Sequence, residues 1–206
     1  MRNLTKMLLI LGACLVSTGC DEFGWNPLDP NYENVVFANR EKPPPLLLDF
    51  RVPTLDGAAS FYDERFELES DLYFRRRTWR GPPDNDIAAS LMEIRRLDNA
   101  PMAEPPAPDA AASYWDILAR RHLTFQTLYS SMNAIGPVLW RRFTMASQIC
   151  VIFSQSWKAD VSAPATRTIV GYYCAPSGEE FSDGQAETVV RAVILKEGDP
   201  QQSTDG

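Results

Sequence analysis

The sequence predicts an α+β domain: an antiparallel sheet with a carboxy-terminal β-hairpin, covered by helices at about 113–134 and 183–197. Three observations carry that expectation. Residues 138–145, 150–157 and 166–174 are rich in β-branched and aromatic side chains and read as strands, the last two forming the hairpin. Trp115, Leu118, His122, Phe125, Tyr129 and Met132 follow one another at steps of three and four, the spacing of one helix face, and Gly136-Pro137 ends the run. Ser182 and Gln185 make a capping box ahead of Ala186, Val189, Val190 and Val193 on one face, with Gly198 as the stop.

Taken from the start, the chain carries Arg2 and Lys6 with no acid, then runs from 7 to 18 without a charge. That is the layout of a signal peptide. A helix over those residues spans about 18 Å against about 30 Å of hydrocarbon, too short to stay across a membrane. Ser17, Thr18 and Gly19 then lead into Cys20, and the pattern resembles the lipobox of bacterial lipoproteins, with Ser17 where that family favours Leu. The resemblance covers residues 1–22. It implies that Gly19 is the last residue removed, that Cys20 takes a diacylglycerol thioether and, on its freed amine, a fatty acid such as palmitate, and that the mature chain is a lipoprotein held on a bilayer. Each buried methylene contributes about 0.8 kcal/mol, so two or three acyl chains hold where a single chain holds marginally. Asp21 resembles an inner-membrane retention signal. The expected location is therefore the periplasmic side of the inner membrane, with the inner leaflet of the outer membrane as the alternative.

The expected organisation is a leader at 1–19, a membrane tether at 20–45, one domain at 46–198 with a proline-rich break at 99–111, and a disordered tail at 199–206. Pro43-Pro44-Pro45 favours an extended conformation and gives the tether a stiff end. Asp29, Asn31 and Glu33 lack the glycine and closing glutamate of a calcium loop and read as a polar turn. Between 65 and 78, Phe66, Leu68, Leu72 and Phe74 alternate with charged residues, the period of one half-buried strand or of a pair. Asp84, Asn85 and Asp86 offer caps for a short amphipathic helix bearing Ile87, Leu91 and Ile94. Four prolines then rule out continuous regular structure at 99–111.

Loss of Arg2 and Lys6 with the leader takes the formal charge from −7 to −9. So acidic a surface is unsuited to nucleic acid and gains no electrostatic grip on an anionic bilayer. Of the four cysteines, processing removes Cys14 and lipidation consumes Cys20, so Cys150 and Cys174 remain and are expected to form a disulfide outside the cytoplasm. Setting Trp157 opposite Thr166 in an antiparallel hairpin brings Cys150 within one residue of Cys174. A single histidine and the lack of any C-x-x-C leave no expected metal or cofactor.

No nucleophile elbow, phosphate loop, S-x-x-K or H-E-x-x-H motif is present, so no catalytic residue is nominated. His122 reads as a hydrogen-bonded core residue on the apolar stripe. Asp63-Glu64, or Glu67 with Glu69, are weaker as a glycosidase pair than as a charged strand face. The run "RRRTWR" makes Arg75, Arg77 and Arg80 candidate anion-binding residues, since guanidinium forks suit phosphate and carboxylate. The competing reading is a solvent face neutralised by Glu67, Glu69 and Asp71. The expected function is a non-enzymatic accessory or structural role in the cell envelope, anchored in a lipid bilayer through Cys20 and working through a protein partner. The rivals are a periplasmic small-molecule or glycan binder using Trp140, Tyr172 and Tyr173, and an envelope hydrolase.

Overall fold

In the computed structural model, described over residues 47–196 except 68, 82–85, 99 and 159–161, strands dominate and helices are short. The leader, Cys20, the tether and the tail lie outside the described residues. In chain order the strands are β1 (Leu47–Phe50), β2 (Ala59–Glu67), β3 (Leu72–Arg80), β4 (Ala88–Arg96), β5 (Thr124–Met132), β6 (Pro137–Met145), β7 (Gln148–Trp157), β8 (Arg167–Cys174) and β9 (Val193–Lys196). The α-helices are α1 (Pro108–Ala111), α2 (Asp116–Ala119) and α3 (Asp183–Arg191). A seven-stranded antiparallel sheet has the order β2-β3-β4-β8-β7-β6-β5, and β1 pairs with β9 in a small second sheet. The large sheet is thus two meanders, β2 to β4 and β5 to β8, joined where β8 lies against β4.

The α+β expectation is therefore corrected to a mostly β domain. Helix does not run over 113–134: α2 ends at Ala119, and Phe125, Tyr129 and Met132 lie on edge strand β5. A register shift between Phe125 and Leu128 breaks the alternation of β5 and leaves apolar residues at a spacing that imitates a helix. The helix expected at Ile87–Ile94 is central strand β4, buried on both faces, so its apolar residues form a near-continuous run with no period of two. The capping box at Ser182 and Gln185 is present, but the closing helix stops at Arg191, and Val193–Lys196 turns away to pair with β1. The three strands expected at 138–145, 150–157 and 166–174 are β6, β7 and β8. The alternating stretch at 65–78 is the β2–β3 hairpin, in which Phe66 pairs with Tyr73 while Phe74 faces the other way.

Each face of the sheet carries its own core. On the first face, Trp79, Leu91, Trp140, Phe153 and Tyr173 pack against Phe50, Phe181, Val189 and Val190, which β1, α3 and the segment leading into α3 lay over them. On the second, Phe74, Ile94, Ile152 and Tyr172 meet Ala111, Trp115 and Leu118 from the 108–119 segment. Trp115 donates its indole N–H to Ser90 Oγ at 3.0 Å and sets its ring edge-on to Tyr172. Gly171 lies between Leu91 and Phe153 in a first-face row, and the Phe153 ring occupies the space where a β-carbon would stand.

Cys150 and Cys174 form a disulfide, their α-carbons 4.0 Å apart. Trp157 pairs with Arg167 and not with Thr166, and that one-residue difference puts the two cysteines directly opposite each other.

Candidate functional site

The three arginines singled out by sequence do not meet. Strand alternation sends Arg75 and Arg77 to the first face and Arg80 to the second, where it is exposed and lies 6.0 Å from the Phe61 ring. Arg77 bonds Asp49 at 3.0 Å and stacks 4.6 Å over Trp79. Arg75 lies 3.4 Å from Glu64 and 3.9 Å from Glu93, and its Nε donates to the Tyr73 hydroxyl at 3.0 Å. Arg76, not nominated by sequence, makes a two-pronged pair with Asp63 at 2.8 and 2.7 Å. The partners are therefore Asp49, Asp63, Glu64 and Glu93, where sequence parity had pointed to Glu67, Glu69 and Asp71.

Asp63 and Glu64, adjacent in sequence, are directed to opposite faces, each toward an arginine. His122 is exposed beside Arg121 and Thr144, outside any helix, which corrects its expected place in the core. Trp140, Tyr172 and Tyr173 are all buried and divided between the two faces, so together they offer no ligand platform. Among the described residues no group of His, Cys, Asp or Glu is arranged to hold a metal ion, and no helix is long and apolar enough to cross a membrane.

Two features concentrate at the end of the sheet where β7 finishes. The first is a polar cluster on the first face. Register lines up Phe66, Tyr73, Arg95, Arg167 and Trp157 in one cross-strand row, and Glu64, Arg75, Glu93, Ile169 and Gln155 in the row beside it. Phe66 stacks on Tyr73 at 4.7 Å, Arg95 lies 5.7 Å over the same tyrosine ring, and Arg167 lies 4.2 Å over Trp157. Glu93, 1% exposed, has Arg167 Nε at 3.3 Å and Arg75 Nη1 at 3.9 Å, in geometries that give neither of its oxygens a hydrogen bond among the described residues. Burial pushes the Glu93 carboxyl up, with Arg167, Arg75 and Arg95 pulling it back. Burial likewise lowers Arg95; Glu93 opposes that shift, and Arg167 and Arg75 add to it. Tyr73 is raised, chiefly by its own burial.

The sequence held one signal for this cluster. Arg95-Arg96 reads as a charged doublet, but on a strand its members must face opposite ways: Arg96 pairs with Asp98 at 3.0 Å while Arg95 turns into the first face. Reading β4 as a helix hid that.

The second feature is an open cleft of about 540 Å³ at the β5–β6 turn, lined by Pro105, Ile135, Pro137, Leu139, Ser154 and Lys158 among others. Beside it, β5 is an edge strand of the sheet among the described residues, where it pairs with β6 alone. Its first-face side is pinned to α3: Tyr129 donates to Asp183 at 2.9 Å, Ser131 to Glu187 at 2.9 Å, and Asn133 to the Val190 carbonyl at 3.2 Å. Its second-face side leaves Leu128 and Met132 in solvent, 48% and 58% exposed, next to Leu139 at 39%. Compared with protein-family models, with curated proteins and with solved structures, the chain matches none.

Proposed function

We propose that this protein is a lipid-anchored component of a bacterial cell envelope, held through Cys20, whose domain acts without catalysis by binding an extended apolar segment of a partner protein at the β5 edge. The observation that supports it most is the coincidence of an edge strand, an apolar cleft and the exposed side chains of Leu128, Met132 and Leu139. An edge strand offers main-chain donors and acceptors to an incoming strand, and an adjacent apolar pocket selects its side chains. Single exposed leucines are ordinary on protein surfaces, whereas contiguous ones beside a cleft mark an interface. The lipobox at residues 1–22 supports the location, and the acidic charge leaves attachment to the acyl chains.

The reading is tested by placing a photo-crosslinking residue at Ser130, between Leu128 and Met132, in living cells, with Phe61 on the opposite edge as control. One adduct of discrete mass should appear at position 130, be lost with Leu139→Asp, and be weakened by Cys20→Ala, which also abolishes incorporation of a labelled fatty acid. Absence of an adduct at position 130, or an adduct indifferent to Leu139→Asp, overturns the docking reading. Equal fatty-acid labelling of Cys20→Ala overturns the anchor.

A further inference from the structure

Among the described residues, the polar cluster on the first face sets three arginines against two carboxylates. Arg75, Arg95 and Arg167 converge there, while Glu93 and Glu64 are the acids that face them. Arg95 is the unusual member. It is 8% exposed, no carboxylate of the described residues lies within ion-pair distance of it, and its Nε has no hydrogen-bond partner among them. Its cross-strand neighbour on β8 is Arg167, a like charge directly opposite, an arrangement that destabilises a sheet. Buried guanidinium groups ordinarily come with an anion. On the diagonal from Arg167, Gln155 is 2% exposed, and both atoms of its amide lack a partner among the described residues. Buried polar groups are ordinarily hydrogen-bonded, so the accumulation of several without a partner in one place calls for a missing one.

We propose that the end of the first face between Arg95 and Arg167 is a binding site for a phosphate group, carried either by a lipid headgroup or by a free small molecule. A tetrahedral phosphate presents oxygens in more than one plane and can meet two guanidinium forks and an amide N–H at once, whereas a carboxylate is planar and suits a single fork. The flanking rings of Tyr73 and Trp157 hold the guanidinium planes in place by stacking. Entry is from the Arg167–Trp157 side, where both residues are partly open to solvent while Arg95 is nearly covered. The site adjoins the β5 cleft through Gln155, which lines both, whereas Arg95 and Arg167 lie outside the lining of that cleft.

The test uses the full chain purified in neutral detergent micelles, with thermal unfolding as the readout. In one arm inorganic phosphate is added against chloride of equal ionic strength; in the other, micelles are doped with phosphatidylglycerol or, as a phosphate-free control, diacylglycerol. A rise in melting temperature with inorganic phosphate that Arg95→Met removes assigns a free phosphate group. A rise confined to phosphatidylglycerol, removed by the same variant, assigns a headgroup. Affinity for the effective probe should fall about tenfold or more in Arg95→Met, the loss expected for a charge-assisted hydrogen bond. Without any anion, Arg95→Met should melt no lower than the native chain, because a buried like-charge contact is gone. If Arg95→Met fails to fold, Arg167→Gln takes its place, since that side chain is 18% exposed. No rise in either arm, or a rise that survives the substitution, overturns the proposal.

Discussion

Replacing Gly171 by alanine should destabilise the domain although it removes a glycine from the middle of a strand. On an open strand the change would help by about 0.5–1 kcal/mol, because alanine loses less conformational freedom on folding. At this position the new β-carbon would come 2.7 Å from Leu91 Cδ2 and 2.9 Å from Phe153 Cε1. Both neighbours are fully buried in the first-face core and have no open space to retreat into. Overpacking of this kind costs about 1–3 kcal/mol, and with three heavy atoms inside 3.0 Å the upper part of that range applies, which leaves a net loss of about 1–2 kcal/mol. For a domain of this size that is a fall in melting temperature of about 2–8 °C, read by near-ultraviolet circular dichroism with the disulfide intact. A second substitution separates crowding from backbone effects. Phe153→Leu removes the ring atoms that crowd the position and frees space for the end of the Leu91 side chain, so in its presence Gly171→Ala should cost nothing or stabilise, giving a coupling energy of about 1–3 kcal/mol. A melting temperature unchanged or raised in the single variant, or strictly additive effects in the pair, would refute the packing argument.

Alkylation of the protein purified without reductant should modify neither Cys150 nor Cys174 before reduction and both after it; intact mass decides. Removing the bridge, as Cys150→Ala with Cys174→Ala, should cost about 3.5 kcal/mol in the chain-entropy account, seen as a lower denaturant midpoint with a slope no shallower, since the unbridged unfolded chain is more open. Val190→Asp places a carboxylate at a fully buried position beneath α3 and should cost about 3 kcal/mol or more, whereas an unchanged midpoint would mean that α3 is peripheral. Hydrogen bonds from Ser177 hold the Asp86 carboxyl below its usual range, so its contribution is present above the unfolded-state value and is lost as pH falls through the folded one. Acid titration should therefore show stability declining below about pH 4, and less steeply in Asp86→Asn.

Much of the carboxy-terminal half was legible in the sequence because it obeys local rules. β6, β7 and β8 are dense in β-branched and aromatic residues, and Ser182 with Gln185 announces α3 through a cap that needs only four residues to recognise. The failures share one cause, that burial on both faces erases alternation. In β4, Ala89, Leu91 and Glu93 face one way and Ser90, Met92 and Ile94 the other; all six are buried, so the pattern of two is invisible and the helix-favouring composition misleads. In β5 the opposite holds: the strand is mostly exposed and bulged, and its apolar residues mark no single face. The residues of the polar cluster were missed for the same reason as β4 itself, since Glu93 meets Arg75 and Arg167, and Arg95 comes to lie opposite Arg167, only once the strands are paired.

The junction of β4 with β8 sets an order on the birth of this domain. As the chain emerges from its amino terminus, β2, β3 and β4 can pair as they appear, but the inner edge of β4 must wait until nearly the whole domain has followed, because its neighbour is the eighth strand. During that wait a nine-residue strand, apolar on both faces, keeps one row of backbone donors and acceptors open. The bridge between Cys150 and Cys174 ties β7 to β8, and Cys174 is also the residue that pairs with Ala88 at the start of β4. Oxidation therefore presents β4 with a finished ribbon in place of a lone strand, and the interval before oxidation is when the open edge of β4 is most exposed to aggregation.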